Sequence, residues 1–236
     1  MQNSTVCVPV GTLTFEFSLP NNWMNKLRGA INQKIDAANH PLFNNHRGDE
    51  YVHENSLLQY KIIDGRAAMV AIGEGAVSEL KWFAGVYDGQ LRINNSAIPD
   101  AAIHRLLVRP LHAHIAPELV YCYTTPNWVP FDNIDKRREF EALHNDLQRL
   151  QFLEKLLVNH LVTLYKSIGA QAVLAARKIQ VRIMSGYERP AGVFFIHGHP
   201  QQTFAIRFYT NARLCSDIGI GNAVTYAAGT LREEQG

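Results

Sequence analysis

Residues 57–72 constrain the fold of this chain more than any other stretch. Two apolar runs, Leu57 to Ile63 and Arg66 to Ile72, are separated only by Asp64-Gly65. Such a pair readily supplies the two left-handed residues that a tight two-residue turn needs, so the runs predict an antiparallel hairpin. Upstream, Val8, Val10, Leu13, Phe15 and Phe17 predict a strand over Val6 to Ser18 with a turn near Gly11. Pro20-Asn21-Asn22 then cap a helix through Trp23, Leu27, Ile31 and Ile35, and Ala37 to Glu54, rich in breakers, predicts a loop. Beyond the hairpin, Ala76 to Phe83 predicts a short helix, and Gln90 to Ile93 opens another strand or hairpin. A hairpin flanked in this way gives β-α-β-β-α-β, the order of a ferredoxin-like unit.

The second half has the same grammar without a sequence repeat. Phe140, Leu143, Leu147, Leu150, Leu153, Leu157, Leu161, Leu164 and Ile168 are spaced by three and four, which predicts one amphipathic helix over Lys136 to Ile168 with Gly169 as its C-terminal cap. A second short helix, then strands over Ile179 to Met184 and Phe204 to Tyr209, follow, with Val193 to Ile196 a third candidate. The fold class expected is therefore α+β, with two tandem ferredoxin-like (RAMP/RRM-like) domains. They are expected over 1–115 and 116–236, with the boundary in the Pro-containing stretch from Pro110 to Pro130. A chain of 236 residues, 47% of them hydrophobic, buries a sufficient core without staples. Cys7, Cys122 and Cys215 are too far apart for a zinc finger and leave one unpaired in any disulfide scheme, which points to free thiols in the cytoplasm. Neither a signal peptide nor an apolar run of membrane length is expected.

Two patterns point toward an anionic polymer, which a net charge of +2 permits without demanding. The first is the late loop Asp217 to Thr230. Gly219 and Gly221 let the backbone turn sharply, and successive N–H groups running on to Asn222 form a concavity suited to phosphate. The second is strand alternation. Ile179, Val181 and Ile183 face one way and Lys178, Gln180 and Arg182 the other; Phe204, Ile206 and Phe208 point inward and leave Arg207 and Tyr209 outward. Arginine and tyrosine on one sheet face pair with phosphates and stack on unpaired bases. Lys136-Arg137-Arg138 puts three cations at a helix start, the unfavourable end of the dipole, where an external partner such as RNA would account for them.

Several motifs in order then carry a family resemblance: Leu27-Arg28-Gly29, Asn44-Asn45-His46, Leu57-Leu58-Gln59-Tyr60-Lys61, Gly73-Glu74-Gly75, and the late glycine loop. Tyr123 to Trp128 and Leu156 to Leu161, with Lys166 and Gly169, fit the same order. Together they resemble the CRISPR-associated repeat-processing endoribonucleases, the sixth Cas protein in its b-type branch, over nearly the whole chain. The resemblance implies binding of CRISPR repeat RNA and guide RNA through Arg28, Lys61 and the glycine loop. It further implies metal-independent cleavage by 2′-OH attack with no cofactor, and as partners other Cas effector subunits and a second copy of the chain. No membrane is expected among the partners.

His46 is the first catalytic candidate. Histidine titrates near neutrality and can take a proton from a ribose 2′-OH or give one to the leaving 5′-oxygen, and Arg47 beside it would stabilise charge on the phosphate. The family's element is His-Asn-His, and Asn44 stands in place of the first His. An amide cannot relay protons, so His40 or His53, and more weakly Tyr51, are the replacements within reach along the chain. The glycine loop also departs: Asn222 stands where relatives carry Lys or Arg, and Ala227-Ala228-Gly229 where they carry Gly-Phe-Gly. These departures favour a second reading, a non-catalytic subunit that retains guide RNA in an effector complex. A third reading, a metal-dependent enzyme, uses the His112/His114 and His197/His199 pairs. His160, on the long helix, is expected to be structural.

Overall fold

The computed structural model describes residues 4–20, 23–35, 40–44, 46–47, 50–51, 56–196 and 199–234, and of residues 44, 46, 47, 50, 51 and 196 the backbone alone. The chain forms two compact units. One comprises Val8–Leu111 with Thr225–Ala227; the other comprises Met1–Cys7, His112–Val224 and Ala228–Gly236.

In the N-terminal unit the chain runs β1 (Val6–Phe15), α1 (Met24–Lys34), α2 (Pro41–Asn44), β2 (His46–Arg47), β3 (Glu50–Tyr51), β4 (Leu58–Ile63), β5 (Arg66–Ile72), α3 (Glu74–Val86), β6 (Arg92–Ile93), β7 (Ser96–Ala97) and β8 (Ile103–Ala113). The sheet order is β4-β5-β1-β8, the ferredoxin-like order of a split β-α-β unit. The expected hairpin forms as drawn: Ile63 pairs Arg66 across Asp64 and Gly65, whose φ values of 50° and 77° are the left-handed pair the turn requires. Leu13, Phe15, Leu27, Ile31, Tyr60, Met69, Leu80 and Phe83 are among the side chains of its core.

Three expectations are corrected here. β1 runs straight through Gly11, which faces α3 instead of turning; a Cβ there would stand 3.1 Å from Leu80 Cδ2, so the missing side chain serves close helix–sheet packing. The stretch read as a loop contains α2 and the β2–β3 hairpin, in which His46 pairs Tyr51. The strand that closes the sheet is β8, whereas Gln90 to Ile93 opens the small separate β6–β7 hairpin. β8 hid in the sequence because it lies at the sheet edge, where Pro110 is tolerated and alternation is weak.

The C-terminal unit continues with β9 (Tyr121–Trp128), α4 (Ile134–Glu141), α5 (Asp146–Ser167), α6 (Gln171–Ala176), β10 (Val181–Ser185), β11 (Gly192–Ile196), β12 (His199–Thr210) and β13 (Arg232–Glu233). Its sheet order, β10-β12-β9-β13, repeats the order of the first unit, with β11 extending β12 as a hairpin. The single helix expected over Lys136 to Ile168 is two helices. The Asn145 side chain accepts from the Gln148 backbone N–H at 2.8 Å and starts α5 afresh, and Leu147 in the supposed apolar stripe is 63% exposed. At the other end Gly169 has φ 78°. Its N–H donates to the Lys166 carbonyl and that of Ala170 to the Tyr165 carbonyl, the paired bonds of a Schellman cap. Where a ferredoxin-like unit carries its second helix, between β12 and β13, this unit has the glycine loop with a 3₁₀ turn at Val224–Tyr226. Among the described residues no helix is long and apolar enough to cross a membrane.

Candidate functional site

The face of the C-terminal sheet comes first, because alternation builds it. Phe204, Ile206, Phe208 and Ile183 are buried on one side. On the other, Arg182 pairs Tyr209 across β10 and β12, and Arg207 lies two residues before Tyr209. The structure thus brings Arg182, Arg207 and Tyr209 onto one face, as their spacing implies. The Arg207 Nε donates to Glu234 Oε2 at 2.6 Å, so its charge is shared with a carboxylate delivered by the chain after β13, while its side chain stays 46% exposed. Lys136, Arg137 and Arg138 at the start of α4 need no external partner: they pair with Glu139, Glu141 and Asp135 along their own helix.

The glycine loop is laced to the end of β9 by backbone bonds. The Asn222 N–H donates to the Val129 carbonyl at 3.0 Å, Gly229 N–H to the Asn127 carbonyl at 3.1 Å, and Ile220 N–H to the Gly229 carbonyl at 3.0 Å. The Asn222 side-chain amide donates to the Val129 carbonyl as well, at 3.3 Å. Gly219 bridges to Thr230. Gly221 has φ 88°, and a Cβ on it would lie 2.7 Å from two ring atoms of Trp128. The N–H groups of Ile220 and Asn222 therefore point into the protein, and Gly221 is required by its close approach to an indole.

The two basic residues singled out by the resemblance are buried in the N-terminal unit. Lys61 is wholly buried. Arg28 on α1 is 8% exposed; its Nη1 donates to the Tyr226 hydroxyl at 2.8 Å, and its guanidinium lies 5.5 Å from that ring's centre. Arg28 thereby anchors the loop segment Thr225–Ala227. No sequence signal could have paired these two, which lie 198 residues apart.

Of the histidines, His46 and Arg47 form the β2 strand of the short hairpin, and their side chains lie outside the description, as does all of His53. His40 stands just before α2 with its Nδ1 2.6 Å from Glu79 Oε2. His114 is occupied: Nε2 lies 2.6 Å from the Tyr121 hydroxyl and Nδ1 2.9 Å from the His112 carbonyl. His197 lies outside the described residues, and His199 begins β12. Among the described residues no group of three or more His, Cys, Asp or Glu is placed to hold a metal ion. His160 accepts a hydrogen bond at Nδ1 from the Trp128 indole N–H at 3.2 Å. Burial holds its imidazole down to about 4, against a weaker opposing pull from Asp132, so it is a neutral structural group at physiological pH.

Comparison with known proteins accounts for both halves. Residues 8–109 match the Cas6b N-terminal domain model and residues 115–234 the Cas6b C-terminal domain model. No curated protein matches the sequence. A solved crystal structure of Cas6b superimposes with a TM-score of 0.83 at 20% identity, over 97% of this chain and 100% of that one. A second, described as the CRISPR RNA processing endoribonuclease Cas6b, gives a TM-score of 0.70 at 16% identity, with the same coverage. A Cas6 product complex gives 0.53 at 12% identity, over 98% of this chain and 100% of that one. Two ferredoxin-like units in tandem, matched in order by both domain models, place this chain in the Cas6b family.

Proposed function

We propose that this protein binds CRISPR repeat RNA and cuts it within the repeat by metal-independent transesterification, in the cytoplasm. The observation that carries this reading is the ordered match of both Cas6b domains along a chain with the family's tandem fold. His46 acts as the principal acid–base group and Arg47 stabilises the phosphorane-like charge. Arg182, Arg207 and Tyr209 hold the RNA on the exposed sheet face, the arginines on phosphates and the tyrosine on a base. The glycine loop, with Gly219, Gly221 and Asn222, borders the phosphate path, and Arg28 supports it through Tyr226. Other Cas effector subunits and a second copy of the chain are the further partners.

The test uses labelled repeat RNA in EDTA, a parallel RNA with a 2′-deoxy sugar at the cut, and His46→Ala. Cleavage that survives EDTA and fails with the deoxy RNA and with His46→Ala supports the reading. Asn44, which cannot relay a proton, favours one alternative, a subunit that holds guide RNA without cutting. Tight binding with no cleavage by the wild type establishes that alternative, and loss of cleavage in EDTA overturns the metal-independent chemistry.

A further inference from the structure

One cluster in the N-terminal unit is assembled like an acid–base site. His40 Nδ1 lies 2.6 Å from Glu79 Oε2, and its ring stacks on Trp82 with centroids 3.7 Å apart and planes 19° from parallel. Phe43 of α2 meets the ring edge-on at 6.4 Å. Glu79 and Trp82 lie three residues apart on α3, so a single helix face presents both groups to one imidazole. The cluster is not sealed: the side chains of His40 and Glu79 are 20% and 28% exposed, and Trp82 is 38% exposed.

The chemistry of the partners orients the histidine. An ionised carboxylate only accepts, so Glu79 requires the proton on Nδ1 and leaves Nε2 as the nitrogen available to a substrate. The carboxylate at one edge and the indole face against the ring fix its orientation as well as its tautomer. In chain order α2 is followed by β2, whose first residue is His46.

We propose that His40 is the general acid of RNA cleavage, with Glu79 and Trp82 as its positioning residues. The assignment rests on the endoribonuclease reading above and supplies the proton-transfer group that Asn44 cannot. The 2′-oxygen bonds to phosphorus as its proton passes to the base, His46. The P–O5′ bond breaks, its electron pair leaves with O5′, and the Nε2 proton of His40 moves to that oxygen. The products are a 2′,3′-cyclic phosphate and a 5′-hydroxyl, and His40 is left as the neutral Nδ1–H tautomer that Glu79 holds.

The experiment compares single-turnover cleavage of repeat RNA with that of an RNA whose bridging 5′-oxygen, at the cut mapped with wild-type protein, is replaced by sulfur. A thiolate leaves without protonation. His40→Asn keeps a donor toward Glu79 and removes the reactive nitrogen. It is expected to slow the oxygen substrate about 100-fold or more and to come within about tenfold of wild type on the sulfur substrate. Glu79→Gln is expected to lower the single-turnover rate about tenfold, with RNA affinity and thermal midpoint unchanged, and Glu79→Asp to recover part of that loss. Equal slowing of His40→Asn on both substrates, or wild-type rates on both, overturns the assignment while leaving the endoribonuclease reading in place. Failure of wild-type protein to cut either RNA overturns both.

Discussion

Replacing Gly221 by alanine tests whether the glycine loop is built by packing. Gly221 sits at φ 88°, where an L residue is strained, and that conformation costs about 1–2 kcal/mol. The new Cβ would meet Trp128 Cδ1 and Nε1 at 2.7 Å and the Val129 carbonyl at 2.9 Å. Trp128 is fully buried, so it cannot swing aside, and overpacking of this kind costs about 1–3 kcal/mol. The Val129 carbonyl is also the acceptor for both Asn222 donors, so its displacement loosens the lacing of the loop. The combined loss is about 3 kcal/mol, or a fall of about 6–12 °C in thermal midpoint for a chain of this size. Trp128 is one of three tryptophans. With Trp23 and Trp82 changed to Phe in the background, urea unfolding followed by fluorescence reports this unit alone. Gly192→Ala is the control: its Cβ would lie 3.6 Å from Thr203 Oγ1, an ordinary contact, and the expected change is under about 0.5 kcal/mol. A Gly221→Ala loss as small as the control's would refute the close-approach argument.

Three further outcomes follow from the same geometry. Ala227 stands at φ 68°, in the left-handed region that favours glycine, so Ala227→Gly is expected to stabilise by about 0.5–1 kcal/mol, read as a small rise in thermal midpoint. His160, held down to about 4 by burial against an ordinary 6.5, makes the unfolded chain bind the extra proton. Stability is therefore full above about pH 6.5 and falls as pH drops toward 4, by at most about 3 kcal/mol and by less because the residue as a whole is half-buried. His160→Gln flattens that window in urea titrations at stepped pH. Arg182→Ala is expected to weaken binding of repeat RNA and to reduce the salt slope of log K by about 0.7–1, whereas Lys61, wholly buried, is expected to contribute no such slope, and Lys61→Met separates the two cases.

Legibility followed the range of the interaction. The Asp64-Gly65 turn, the strand faces of β10 and β12, and the Gly169 cap are all written within a few residues, and each forms as the local rules require. The same rules failed where one pattern had two explanations. A leucine spacing carried across residues 142–145 looked continuous because three- and four-residue steps cannot register a break that Asn145 caps. Gly11 looked like a turn because a missing side chain says nothing about whether φ or a neighbouring helix demands it. The shared sheet face of Arg182, Arg207 and Tyr209 follows from strand alternation, whereas the burial of Arg28 and Lys61 leaves no mark in the motifs that contain them.

Periodicity, turn chemistry and motif order by themselves determined that this chain is two ferredoxin-like units of the Cas6b family. Only the tertiary structure decided which polar groups find each other. Arg28 meets Tyr226, His40 meets Glu79, and Trp128 meets His160, at separations of 198, 39 and 32 residues. Such pairs leave no periodic trace, because the free energy that selects them arises only when distant segments are packed and a buried or half-buried polar group must find a partner.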